Sequence, residues 1–131
     1  MNYRKSVLTI LVIIGMITGI AVADYQATGQ AGEYGVVMTI NNNPPAVGHN
    51  MVTIAVKDEN GKAVTDAHVR LEFGMAAMPG KPAIDYENTA APIYDLYKAP
   101  MTLAVAGPWY VRVKIVRGNI IETATFDIYA R

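Results

Sequence analysis

Two methionines three residues apart stand in the stretch Gly74-Met75-Ala76-Ala77-Met78-Pro79-Gly80-Lys81-Pro82, the least ordinary segment of the chain. A thioether is a soft, neutral donor that prefers Cu(I) to hard cations. The pair could therefore contribute to a copper site, but two such donors alone bind weakly. A third must come from elsewhere, and Met101 and His49 are the suitable side chains whose strands end nearby. The candidate metal set is Met75, Met78, Met101 and His49. The competing use is packing, because flexible methionine can fold back and plug the open end of a fold. Packing is the favoured reading for Met75 and Met78. It is also favoured for Met101, which shares the inward phase of Leu103 and Val105.

The remaining reactive side chains are few. The chain has no cysteine, and its one serine is Ser6. Thiolate metal sites, covalent haem attachment and Ser- or Cys-based hydrolysis are thereby excluded. His49 and His68 have no activated nucleophile to serve, and an isolated surface histidine is ordinarily just solvated. The acidic pairs Asp58/Glu59 and Asp85/Glu87 lie in a turn and a loop. Neither has the apolar setting that would raise one carboxyl for acid catalysis. Tyr86, Tyr94, Tyr97 and Tyr110 could form an aromatic recognition surface, although tyrosines on sandwich strands are more often half-buried at the edge of the core. The chain reads as non-catalytic.

The first 23 residues have the form of an export signal. Arg4 and Lys5 precede an almost unbroken apolar run from Val7 to Val22, and Ala21-Val22-Ala23 supplies the small-x-small pattern of a cleavage site. The reading is a signal helix removed after Ala23, which makes the protein exported, periplasmic or associated with the cell envelope. The rival is an uncleaved anchor that attaches the protein to the membrane through residues 7–23, at the lower edge of the roughly 17 to 25 residues that span a bilayer. Cleavage leaves 108 of the 131 residues, with nine basic and eleven acidic side chains. That length suits one domain, and no basic stripe exists to bind nucleic acid.

Asp24 to Ala31 is polar and contains glycine, and residues 24–33 read as a tether to a folded body over residues 34–131. Beyond it, apolar residues alternate in short runs between turn signals, the pattern of an antiparallel sandwich. Seven strands are expected: 34–40, 51–57, 67–73, 94–97, 101–105, 109–116 and 120–129. Val52, Ile54 and Val56 alternate against Thr53, Ala55 and Lys57. Likewise Trp109, Val111, Val113 and Ile115 face inward while Tyr110, Arg112 and Lys114 face out. The fold class is all-β, an immunoglobulin-like antiparallel β-sandwich of about seven strands with Trp109 in its core.

Several of these segments occur together in a known order. Gly61-Lys62-Ala63-Val64, Ala67-His68-Val69, Met75-Ala76-Ala77-Met78-Pro79-Gly80, Met101 and Gly107-Pro108-Trp109-Tyr110-Val111-Arg112-Val113 resemble the YtkA-like domain family over roughly residues 34–129. The resemblance implies an exported or membrane-anchored β-sandwich, related in plan to FixH-type proteins, that accompanies metal-handling or respiratory systems of the bacterial envelope. Members of that family commonly follow the proline-glycine step with another methionine and a histidine. Lys81 and Pro82 take those places here, which removes the expected third and fourth ligands. The leading expectation is a non-catalytic accessory module that binds an envelope protein partner and has no cofactor. The alternative is a periplasmic Cu(I) carrier.

Overall fold

The computed structural model describes residues 24–131, so the signal segment lies outside the described residues. Eight antiparallel strands follow one another: β1 (Tyr25–Ala31), β2 (Tyr34–Ile40), β3 (Gly48–Lys57), β4 (His68–Met75), β5 (Ile84–Ile93), β6 (Leu96–Leu103), β7 (Gly107–Arg117) and β8 (Ile120–Ala130). They are hydrogen-bonded in the order β1-β2-β3-β6-β5-β4-β7-β8. The expected all-β antiparallel sandwich is what the chain forms, with eight strands rather than seven. Among the described residues no helix is long and apolar enough to cross a membrane.

Alternation builds the core. Val36, Met38 and Ile40 of β2, Val52, Ile54 and Val56 of β3, and Trp109, Val111, Val113 and Ile115 of β7 are all buried. Their neighbours along each strand point outward, as the period of two requires. Val69, Leu71 and Phe73 of β4 and Tyr97, Ala99, Met101 and Leu103 of β6 complete one continuous cluster. Val105, expected on the same inward phase as Met101, lies beyond the end of β6 and is exposed.

Two strands depart from the sequence reading. Residues 24–33 are not a tether, because Tyr25 to Ala31 pair residue for residue with Ile40 to Tyr34. Gln26, Thr28 and Gln30 face solvent, while the small Ala27 and Gly29 face inward. Gly29 lies against the Phe126 ring of β8, so the two edge strands approach each other across the open side of the sandwich. The second departure is β5, which joins both layers. Its residues 84–90 pair with β4, and its residues 91–93 pair with β6.

That crossover also explains how β6 runs uninterrupted through Pro100. Beyond Lys98, β6 has no ladder partner on the β5 side, so the missing proline N–H costs no bond. The Asn88 side-chain amide donates instead to the Pro100 carbonyl at 2.7 Å.

The register sorts the connections to two ends. The β1–β2, β3–β4, β5–β6 and β7–β8 turns lie at one end. The start of β1, the β2–β3 connection (residues 41–47), the β4–β5 connection (76–83), the β6–β7 connection (104–106) and Arg131 lie at the other. The carboxyl terminus is stitched there, since Val47 N donates to Arg131 O at 3.1 Å and Arg131 N to Pro45 O at 3.0 Å.

Candidate functional site

The methionine segment sits at this second end. Strand β4 runs two residues beyond Phe73, so Met75 is a strand residue and not a loop residue. Gly74 makes the extension possible, because a side chain there would meet the Ile84 carbonyl and stand 2.6 Å from the Tyr110 hydroxyl. That hydroxyl donates to Asp85 Oδ1 at 3.3 Å, closing β7 over β4 onto β5. Burial and then the nearby Asp85 charge raise the Tyr110 pKa above its ordinary value.

Past Met75 the chain makes a tight turn. Met78 N donates to Lys81 O at 3.0 Å and Lys81 N to Met78 O at 2.8 Å. Pro79 presets the first corner of this turn, and Gly80 takes the second with φ of +79°. The consequence is that the two thioethers part company. Met75 is buried, its methyl group close to Gly107, and Met78 is 43% exposed at the turn.

The other two candidate ligands also diverge. Met101 is fully buried. It pairs with Asn50, whereas His49 pairs with Thr102, so His49 projects from the opposite face of the same ladder and is exposed. As folded, Met75 and Met101 lie in the core and Met78 and His49 lie outside, so the four donors do not converge on one ion. Among the described residues no group of three or more His, Cys, Asp or Glu is placed to hold a metal either.

The four tyrosines read as a potential surface separate in the same way. Tyr97 is buried, its hydroxyl donating to Val64 O at 2.8 Å and accepting from Ala67 N at 3.3 Å. Tyr110 lies under the Arg112 guanidinium at 4.3 Å, Tyr86 tilts against Phe73 at 5.5 Å, and Tyr94 is exposed at the β5–β6 turn.

A different set of residues forms a concavity. Tyr25 of β1, Asn43, Pro44 and Pro45 of the β2–β3 connection, Pro108 of β7, Asp127, Ile128 and Tyr129 of β8, and Arg131 line an open groove of about 490 Å³ at the β1–β8 seam. The Asn43-Pro44 peptide bond is cis. Burial, reinforced by the Asp127 charge, raises the Tyr25 pKa, so at neutral pH this phenol is a hydrogen-bond donor and not a base. Arg131 lies 5.8 Å from the Tyr129 ring centroid. The groove thus offers aromatic and proline surfaces with one carboxylate and one guanidinium, a lining suited to recognition.

Sequence reasoning missed it because Tyr25 stood in the supposed tether. Its other residues come from three separate segments, and only the closeness of the two edge strands brings them together. The recurrence of proline at 44, 45 and 108 was the available signal.

The YtkA-like family profile matches residues 27–114, most of the described chain. The chain belongs to the YtkA-like family. The match starts inside β1, as it should if that strand is part of the domain. Among curated proteins none matches by sequence. Among solved structures, this YtkA-like domain is similar to the soluble domain of PmoD from Methylocystis sp. ATCC 49242 (Rockwell). The two share 13% identity over 79% of this chain and 97% of that one, with a TM-score of 0.56. At that identity the likeness is one of fold.

Proposed function

We propose that this YtkA-like protein is a non-catalytic binding module of the bacterial cell envelope, whose groove at the β1–β8 seam takes an extended segment of a partner protein. The observation that carries this reading is the groove lining itself. Tyr25, Tyr129 and three prolines present rigid apolar surface, while Asp127 and Arg131 supply one charge of each sign at its polar edge. Tyrosine and proline lose little conformational entropy on binding, which is why such surfaces recognise extended peptides. The signal-like sequence of residues 1–23 and the YtkA-like match support an extracytoplasmic setting.

The test is site-specific photo-crosslinking in the envelope from position 129, with position 62 at the far end as control. The expected result is one crosslinked envelope protein from position 129, lost in the Tyr25→Ala, Arg131→Ala variant. Equal products from both positions, or none from 129, count against the groove. The alternative, a Cu(I) carrier, rests on the exposed Met78 alone, because its three companions do not face the same space. A competition titration with Cu(I) separates the two readings.

A further inference from the structure

The two ends of the sandwich differ in charge. Residues 41–47, 76–83 and 104–106, which connect the strands at the second end, contain one charged side chain, Lys81. The connections at the first end, residues 32–33, 58–67, 94–95 and 118–119, carry Glu33, Asp58, Glu59, Lys62, Asp66 and Asp95. This second end, where Asp24 and Arg131 stand at the chain's strand termini, exposes one large apolar side chain on each connection: Val47 at 44%, Met78 at 43% and Val105 at 44%. Ile93, Tyr94, Leu96, Ile120 and Ile121 are exposed at the first end too, but they stand among these charges. Charged groups resist transfer into a lipid interface far more strongly than polar amides and prolines do.

The amino-terminal segment meets the domain at this same second end, where Tyr25 pairs with Ile40. Because residues 25–31 are strand and not tether, only Asp24 separates the apolar run ending at Ala23 from the folded ladder. One residue reaches about 3.5 Å. Where the rival reading holds and the run from Val7 to Ala23 is kept as an anchor, its 17 residues would reach about 25 Å as a helix against a hydrocarbon layer of about 30 Å. A span that short draws its flanking residues toward the interface. With no slack in the chain, the end of the sandwich must follow.

We infer that the β2–β3, β4–β5 and β6–β7 connections form a membrane-facing surface, and that in the full-length chain Val47, Met78 and Val105 rest on a phospholipid bilayer. Lys81 stands among them, and Arg131 lies at the same end, as cations available to an anionic headgroup. The β2–β3 connection serves both surfaces, with Asn43, Pro44 and Pro45 lining the groove and Val47 meeting the bilayer.

The absence of cysteine makes the test direct. The full chain, residues 1–131, is inserted into vesicles of phosphatidylcholine and phosphatidylglycerol as single-cysteine variants Val47→Cys, Met78→Cys, Val105→Cys, Asn60→Cys and Asn119→Cys. Each carries an environment-sensitive fluorophore, and the vesicles carry nitroxide-labelled lipid. Labels at 47, 78 and 105 should shift to shorter wavelength and lose emission to the nitroxide, while labels at 60 and 119 remain as in water. A chain that keeps all five labels in water overturns the inference, and so does one that quenches 60 and 119 instead. As a second measurement, Met78→Glu combined with Val105→Glu should abolish quenching at position 47, and unchanged quenching there also counts against it.

Discussion

The Asn50 side-chain nitrogen lies 3.2 Å from the Met101 carbonyl oxygen, and Asn50 is the one buried polar residue among the described residues. The same amide donates to Ala46 O at 2.8 Å, and its oxygen accepts from Ala46 N at 3.0 Å and from Asn42 Nδ2 at 2.9 Å. One side chain therefore fixes the β2–β3 connection, which bears Val47 and two groove prolines, to the end of β6.

A buried amide whose partners are all satisfied is costly to delete, because its backbone partners stay behind without water. Asn50→Ala is expected to destabilise the domain by about 2 kcal/mol or more. The groove and the exposed tip at Val47 should loosen with it. Urea unfolding reads the first effect as a lower midpoint, and hydrogen exchange at Val47, whose amide donates to Arg131 O, reads the second. An unchanged midpoint would show that water replaces the amide.

Trp109 ties the other side of the same end. It is 2% exposed, packs at 6.3 Å from Phe73, and donates from Nε1 to Val105 O at 3.0 Å. Trp109→Ala should cost about 3 to 5 kcal/mol, the range for removing a large buried aromatic. Trp109→Phe retains part of the packing and loses the bond to Val105, so its unfolding midpoint should fall between those of parent and alanine variant.

The inward faces of β2, β3, β4 and β7 were legible in the sequence because large apolar residues recur there with a period of two. Strand β1 was not, since its inward positions are filled by Ala27 and Gly29, which must be small to let Phe126 close the seam. Strand β5 was hidden for a different reason. It runs Ile84-Asp85-Tyr86-Glu87-Asn88-Thr89 along the edge where one layer passes into the other, and only Ala90 is fully buried. The methionines were placed at the correct end. Their divergence depends on β4 continuing through Gly74, a close approach that no local pattern announces. The YtkA-like resemblance was carried by the β3–β4, methionine-proline-glycine and tryptophan segments, all of which lie within residues 27–114.

The β3–β4 turn should make stability depend on acid. Asp58 Oδ1 accepts from Lys62 N at 3.0 Å and from Asn60 N at 2.9 Å. These bonds favour the carboxylate, the Lys62 amide foremost, and lower the Asp58 pKa below its ordinary 3.8. The folded form therefore holds its proton less tightly than the unfolded form. The resulting stabilisation is complete well above pH 3.8 and is lost as the pH falls through the lowered folded value. Thermal unfolding of Asp58→Asn should fall less steeply than the parent between pH 5 and pH 2. An identical slope in both proteins would locate the acid sensitivity elsewhere.

The methionine end permits one decisive measurement on copper. Because Met75 and Met101 are buried, an ion added to the folded domain meets Met78 first, and a single neutral thioether gives weak binding. Any Cu(I) affinity should drop at least tenfold in the Met75→Leu, Met78→Leu variant, about 1.4 kcal/mol. Met78→Leu alone should reproduce that loss, and Met75→Leu alone should not. Leucine conserves the volume of methionine, so the unfolding midpoint should move little in all three variants. If instead Met75→Leu by itself removes Cu(I) binding, Met75 must leave the core to meet the ion, and the carrier reading gains over the binding module. If the parent takes no Cu(I) in competition, the turn from Met78 to Lys81 serves packing and surface contact alone.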